Sequence, residues 1–109
     1  MFQPYNEEQI NEEFGALPRA DFLDLTLGMQ LFQEFGIDAP VTVSKYEDYG
    51  ILFLKRSRAG RVLFEFTKSE KQHGKYVVRI LEVLLVYKKE SQRVPESVLK
   101  LAAKRKRES

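Results

Sequence analysis

The sequence predicts an α+β fold: two N-terminal helices, a curved and mainly antiparallel sheet of about four strands, and a basic C-terminal helix. Three observations support this prediction. Apolar residues recur every three or four positions up to residue 35. From residue 40 onward, short apolar runs alternate with turn residues. A proline then introduces a last segment rich in lysine and arginine. Sequential strands joined by short turns favour antiparallel neighbours.

The first 35 residues predict two helices that cover the core. Asn6 can cap the first helix, because Glu7 and Glu8 follow it at the positive end of the helix dipole. Pro18 ends or kinks that segment, and the second helix runs from about Pro18 to Phe35. The apolar positions that predict packing against a sheet are Ile10, Phe14, Leu17, Phe22, Leu25, Met29 and Phe32, with Leu23, Leu27 and Leu31 widening the second stripe.

The middle of the chain predicts strands. Residues 41–49 suggest a short strand and turn, and residues 50–56 and 61–66 suggest two strands joined by a hairpin. Residues 68–75 are predicted to form a polar loop. The segment 76–87 predicts the most buried strand, because all of its residues except Arg79 and Glu82 are Val, Ile, Leu or Tyr.

The end of the chain predicts an amphipathic basic helix. Pro95 fits its first position. Val98, Leu101 and Ala102 are predicted to face inward. The residues predicted to face outward are Lys100, Lys104, Lys106 and Arg107.

Composition bounds the class of protein. With 109 residues, 43% hydrophobic and 31% charged, residues 1–109 are expected to form one globular domain. There is no cysteine, so disulfides and thiolate sites are excluded. The first residues lack the features of a signal peptide, and no apolar run approaches the roughly 20 residues of a membrane span. We therefore expect a cytoplasmic protein without a membrane partner.

The net charge of +2 hides a strong division along the chain. Residues 1–38 contain eight acidic residues and one basic residue, a net charge of −7. Residues 39–109 contain seventeen basic and eight acidic residues, a net charge of +9. Such asymmetry favours two faces with different roles, or a basic face that binds phosphates. The alternative is that these charged side chains are only solvated and have no binding role.

The motifs of common enzyme classes are missing from the sequence. No nucleophile and base pair of the usual kind is evident, and no glycine-rich phosphate loop precedes a helix. No histidine or carboxylate cluster has metal-ligand spacing, so no metal and no cofactor are expected. The single histidine, His73, falls in the predicted polar loop, where solvation is a more frequent role than catalysis.

The remaining candidates for functional side chains are the cationic residues and the tyrosines. The predicted hairpin brings Lys55, Arg58 and Arg61 to one end of two strands. Arg79 within an apolar strand is either paired, with Glu82 or Glu65, or exposed on a concave functional surface. A phosphate-rich ligand across the sheet would meet such cations, and tyrosines could stack on bases or donate a proton. The tyrosines in question are Tyr46, Tyr49 and Tyr87.

Three segments resemble the RelE/HigB-type toxins of type II toxin–antitoxin systems, in their phage-derived HigB-like branch. They read F-Q-E-F-G-I-D-A-P at 32–40, G-I-L-F-L-K-R-S-R-A-G-R-V-L-F-E-F at 50–66 and V-Y-K-K-E-S-Q-R-V-P-E-S-V-L-K-L-A-A-K-R-K at 86–106. The last is the most specific, with its lysine pair, Ser-Gln, proline and basic helix. The resemblance covers roughly residues 12 to 108.

The resemblance implies a RelE/ParE-like fold and a ribosome-dependent mRNA endonuclease, with an antitoxin protein, the ribosome and mRNA as partners. In that family the 2′-hydroxyl of the messenger attacks the adjacent phosphate without a metal. By resemblance the catalytic residues are Lys55, Arg61, Tyr87 and Lys88, and the RNA-binding residues are Arg56, Arg58, Arg79, Lys89, Arg93, Lys104 and Arg105.

Three positions depart from the family pattern. Lys55 and Phe64 stand where the family often has arginine, and Leu84 stands where it often has histidine. Proton transfer would therefore fall to Tyr87 or to a lysine. Two alternatives stay open: a degenerate or gyrase-targeting member of the same superfamily, and a non-enzymatic basic adaptor that binds RNA or an acidic protein.

Overall fold

The computed structural model describes residues 1–46, 49–53, 60–89 and 93–108 and, for residues 37, 66–73 and 76–79, the backbone alone. The predicted α+β class is confirmed, although the sheet has five strands rather than about four. The elements in chain order are β1 (Phe2–Pro4), α1 (Glu7–Gly15), α2 (Arg19–Phe35), a short 3-10 helix (Gly36–Asp38), β2 (Thr42–Tyr46), β3 (Tyr49–Phe53), β4 (Gly60–His73), β5 (Tyr76–Lys88) and α3 (Glu96–Glu108).

The additional strand is β1, at one edge of the sheet. The strand order is β1-β5-β4-β3-β2, and β1 pairs in parallel with β5 while the remaining pairs are antiparallel. The amide of Leu81 donates to the Met1 carbonyl at 2.8 Å, and the amide of Tyr5 donates to the Val83 carbonyl at 3.0 Å. A three-residue strand held by backbone bonds to a distant partner leaves no local pattern in the sequence, which is why periodicity does not reveal it.

The prediction of a polar loop over residues 68–75 is wrong for most of that segment. β4 continues to His73 and β5 begins at Tyr76, so only Gly74 and Lys75 form the turn. His73 is therefore a strand residue, paired with Tyr76. Gly74 adopts φ 63°, a conformation that glycine takes without strain. The hairpin can extend past the core because ladder hydrogen bonds are made by the backbone and do not require apolar side chains.

The sheet carries helices on both faces. On one face, α1 and α2 pack over a core of Ile10, Leu25, Leu52, Val62, Phe64, Leu81, Val83 and Val86. On the other, α3 packs over Tyr49, Ile51, Leu63, Leu84 and Leu85, with its own Ala102 fully buried. The two sets alternate along β3 and β4, as the two-residue period of a strand requires. Below, these are called the α1/α2 face and the α3 face.

Two sequence predictions about which helix residues face the core are wrong. Leu25 of α2 is fully buried, but Leu23 and Leu27 are exposed, so the core-facing stripe is narrower than predicted. On α3, Ala102 is buried as predicted while Leu101 is exposed. Arg105 takes the inward position instead, because it follows Ala102 by three residues on the same side of the helix.

A β-bulge in β5 changes which residues share a face. Leu63 pairs with Leu85 but Phe64 pairs with Val83, so Leu84 is an extra residue opposite no partner. Before the bulge, Val83 belongs to the core of the α1/α2 face. Leu84 and Leu85 then both belong to the α3 face. The bulge therefore turns Tyr87, two residues after Leu85, toward the α3 face.

Two charged side chains form hydrogen bonds with the backbone groups that the bulge leaves without a ladder partner. The Nη1 of Arg105 donates to the Leu84 carbonyl at 2.9 Å, and its Nη2 lies 2.7 Å from Oε2 of Glu13. The other oxygen of Glu13, Oε1, accepts from the Val86 amide at 2.9 Å. Burial lowers the pKa of Arg105, but the hydrogen bond and charge of Glu13 outweigh it, so this pKa is raised. The pair thus ties α1, β5 and α3 together.

We predict that removing either partner destabilises the fold strongly. Arg105→Met or Glu13→Ala should lower the free energy of unfolding by about 3–5 kcal/mol, because each leaves one buried charge and one backbone group unpaired. The measurement is urea denaturation followed by circular dichroism.

The exposed ion pair between Glu96 and Lys100, with an N–O distance of 3.4 Å, supplies the matched control. Glu96→Ala should change the same free energy by less than about 1 kcal/mol, since solvent screens that pair. If Arg105→Met cost no more than Glu96→Ala, the bulge would not depend on the Glu13–Arg105 pair.

Candidate functional site

A cleft of about 240 Å³ opens on the α3 face, beside the segment that leads into α3. Strands β2, β3, β4 and β5 all contribute to it. The residues that line it are Ser44, Lys45, Tyr46, Ile51, Phe53, Arg61, Tyr87, Lys89, Arg93 and Val94. Four of these are cations, and none of the described lining residues is a carboxylate or a histidine. The cleft is therefore suited to an anion.

Arg61 lies in the cleft and is 7% exposed. Its guanidinium carbon is 4.1 Å from the centre of the Phe53 ring, and its Nη1 donates to the carbonyl of Gly60 at 2.8 Å. These two contacts fix the orientation of the guanidinium. A guanidinium carries five N–H donors, more than the single hydrogen bond to Gly60 uses.

Tyr87 is the cross-strand partner of Arg61, because the bulge at Leu84 turns the side chain of Tyr87 to the face on which Arg61 lies. Burial raises the pKa of Tyr87 above its ordinary value, and the charge of Arg61 opposes that rise. Burial also lowers the pKa of Arg61, while Tyr87 and the buried Asp21 of α2 act in the opposite direction. At neutral pH the pair is therefore a cation beside a protonated phenol, which can donate a proton.

The rim of the cleft is basic and more open. Lys45, Tyr46 and Arg93 are exposed, and Lys89 is half-buried. An extended polyanion could thus lie across the opening, with one phosphate at Arg61 and others at the rim. Tyr46 presents an exposed ring on which a base could stack.

The structure brings four of the predicted site residues together: Arg61, Tyr87, Lys89 and Arg93. Lys55, Arg56 and Arg58 lie outside the described residues.

Three other predicted site residues lie away from the cleft. Lys88 is exposed at the end of β5, and strand alternation turns it from Tyr87 toward the α1/α2 face. Lys104 is exposed on α3, near Glu12 and Glu108. The backbone of Arg79 is eight residues along β5 from Tyr87, roughly 26 Å away, and pairs with that of Glu70.

Arg105, predicted to bind RNA, occupies a structural position between α1 and β5. It is 8% exposed, its guanidinium stacks over Tyr5 at 4.9 Å, and its donors bind Glu13 and the Leu84 carbonyl. A phosphate could reach it only by breaking the contacts that hold the bulge. Its spacing from Val98 and Ala102, seven and three residues, is the sequence signal that places it on the inner side of α3.

Phe64 and Leu84, the two apolar residues at which the sequence departs from the pattern of the toxins it resembles, lie in the cores on opposite faces of the sheet. Phe64 is fully buried on the α1/α2 face, where its ring lies 5.3 Å from that of Phe2 and covers Gly50. No side chain at that position would point into the cleft. Leu84 is fully buried at the bulge and packs in the core beneath α3. The cleft is thus built without either position.

Sequence reasoning missed Lys45 and Phe53 as parts of the site, and Glu13 as the partner of Arg105. Lys45 carries a signal, since it is a cation within a short strand of otherwise uncharged residues. Glu13 carries another, because it follows Ile10 by three residues and so falls on the inner face of α1.

No protein-family model matches this sequence, and no significant match is found among curated proteins. In the described part of the chain, no helix has the length and apolar character that crossing a bilayer requires. The same residues contain no group of three or more histidine, cysteine or carboxylate side chains placed to hold a metal ion.

We predict that the ionisation of Tyr87 depends on the charge of Arg61. Arg61→Met should raise the pKa of Tyr87 further, because it removes the cation that stabilises the phenolate, whereas Arg61→Lys should change it less. Carbon-13 NMR of tyrosine-labelled protein measures this pKa, and Tyr87→Phe identifies the resonance. Lys104→Met removes a cation outside the cleft and should have no effect. A pKa of Tyr87 that falls or stays constant in Arg61→Met would contradict the pairing.

Proposed function

We propose that this chain is the toxin component of a type II toxin–antitoxin system, of the RelE/HigB type, and a ribosome-dependent mRNA endonuclease. The observation that carries the proposal is the Arg61–Tyr87 pair inside a cleft with a basic rim. The resemblance of residues 86–106 to that family supports it, because Tyr87, Lys89 and Arg93 of this segment line the same cleft. A cytoplasmic location and a cognate antitoxin are parts of the proposal.

The proposed reaction is attack of an RNA 2′-hydroxyl on the adjacent phosphate. A bond forms between the 2′-oxygen and phosphorus, and the bond to the 5′-oxygen of the next nucleotide breaks. The products are a 2′,3′-cyclic phosphate and a free 5′-hydroxyl. The protein must orient the RNA, remove a proton from the nucleophile, donate one to the leaving oxygen and stabilise the charge on phosphorus.

Arg61 is assigned to the charge on phosphorus. Phe53 and the Gly60 carbonyl hold its guanidinium in place, so little reorganisation is needed when charge develops. Its burial strengthens the interaction, because fewer water molecules screen it than at the rim. Arginine is also suited to phosphate because its planar donors can bind two oxygens together.

Tyr87 is assigned to donate the proton to the leaving oxygen. Its pKa is raised by burial, so it carries its proton at neutral pH. A phenol in that state suits the acid rather than the base of the reaction. The proton of the 2′-hydroxyl passes to water in the open cleft, and Lys89, a half-buried cation at the rim, is assigned to hold the RNA phosphates.

We predict cleavage of mRNA on translating ribosomes by the purified protein, with cyclic phosphate and 5′-hydroxyl ends. Tyr87→Phe should reduce the cleavage rate by about 10²–10⁴-fold, since it removes the proton donor. Arg61→Met should reduce it by about 10²–10³-fold. The measurement is mapping of 5′ ends in a reconstituted translation system.

Tyr46→Phe is the matched control, because it removes a phenol from the rim of the same cleft while keeping the ring. It should leave the rate nearly unchanged. Intact mRNA with folded wild-type protein on translating ribosomes would overturn the proposal. Equal rates for Tyr87→Phe and Tyr46→Phe would remove Tyr87 from the mechanism.

A second candidate is a non-nucleolytic member of the same superfamily, such as a gyrase poison. The observation in its favour is Leu84, an apolar and fully buried residue where the family often has a histidine. Growth arrest with DNA-damage signalling and uncleaved messages would support this candidate against the first.

A further inference from the structure

An apolar ridge runs along the outer side of α2. Leu23, Leu27 and Phe35 are 51%, 49% and 56% exposed, and the half-buried Leu31 lies between the last two. The four residues follow each other at intervals of four, so they form one line along the helix. The sheet does not use this line, because α2 packs on the core through Leu25 on its other side.

A separate groove lies between α1 and α2. It encloses about 620 Å³ and includes Phe14, Phe22 and Met29 among its lining residues. The rings of Phe14 and Phe22 meet edge to face at 5.8 Å. The groove lies on another side of α2 from the ridge, because successive residues of a helix point about 100° apart and no ridge residue lines the groove. The ridge alone is called the α2 surface below.

The surroundings of the α2 surface are acidic. Glu34 and Asp38 are exposed in and just after the last turn of α2, and the only base within α1, α2 and the 3-10 helix is Arg19. This layer lies on the face of the sheet opposite α3 and the cleft. A ligand of the α2 surface must therefore combine apolar side chains with positive charge.

We propose that the α2 surface binds a cationic amphipathic helix of another protein. Such a helix would place its apolar side chains against the ridge, with lysine and arginine at its edges next to the acids. A second copy of this chain does not fit, because a two-fold pairing through this surface would bring the same acids together. RNA does not fit either, since the acids would repel its phosphates. This binding is independent of the cleft.

Synthetic helical peptides test the proposal. One peptide of about 18 residues carries leucine on one face and lysine on the edges, and a second has glutamate in place of lysine. The expected result with the lysine peptide is amide shifts in nitrogen-15 NMR spectra that map to α2. The glutamate peptide should cause none. Raising the salt concentration or changing Glu34 to Gln should weaken binding of the lysine peptide.

Substitutions separate this surface from general attraction to acidic protein. Leu23→Ser with Leu27→Ser should weaken binding of the lysine peptide by at least about tenfold, because both leucines would lose buried contacts. Both are exposed, so their replacement leaves the core intact. Leu101→Ser, the same change at an exposed leucine of α3, is the matched control and should leave the affinity unchanged.

Three results would overturn the proposal. The first is equal binding of both peptides, and the second is equal affinity of the Leu23/Leu27 variant and the Leu101 variant. The third is a dimer in sedimentation equilibrium that the Leu23/Leu27 double substitution dissociates, which would identify a second copy as the occupant. Arg61→Met should bind the lysine peptide normally, so failure of the cleft function and failure of this proposal are distinguishable.

Discussion

The fold and the cleft depend on one feature, the bulge at Leu84 and the two charges that hold it. An unbulged β5 would place Tyr87 on the same face as Val83, beneath α1 and α2 and away from Arg61. The extra residue instead turns Tyr87 to the α3 face. Its cost is an interrupted ladder, and Glu13 and Arg105 offset that cost by binding the Val86 amide and the Leu84 carbonyl. Because the two residues come from α1 and α3, the same contacts fix both helices on the sheet.

The charge division along the chain corresponds to two faces of the molecule. The acidic N-terminal residues form α1 and α2 on one side of the sheet, and the cleft and α3 lie on the other. The acidic and the basic part of the chain form an ion pair where they come into contact, between Glu13 and Arg105. A like arrangement occurs on the α3 face, where Lys106 binds Glu65 at 2.9 Å and stands 5.8 Å from the ring of Tyr49. Lys106 is thus drawn inward, although periodicity predicts it to face solvent.

Much of the fold followed from the sequence, because helix periodicity, the Asn6 cap and the apolar β5 are local signals. The Asn6 side chain does accept from the Gln9 amide. The strand β1 and the extension of β4 through 68–73 did not follow, since both rest on backbone pairing with distant residues. For the site, Arg61, Tyr87, Lys89 and Arg93 were predictable as cations and a phenol near strand ends. The positions of Lys88 and Arg105 away from the cleft were not predictable, because they depend on the bulge and on the face of each residue.

The central claim is that the cleft, rather than the basic helix as a whole, binds RNA. Fluorescence anisotropy of a labelled single-stranded RNA at increasing salt concentration tests it directly. The account predicts that Lys89→Gln with Arg93→Gln lowers the slope of log K against log salt by about 1.4, since each phosphate contact on a single strand contributes about 0.7. Lys100→Gln with Lys104→Gln, which removes two charges from the exposed side of α3, should leave the slope unchanged. Equal losses of slope in the two double variants would contradict the account.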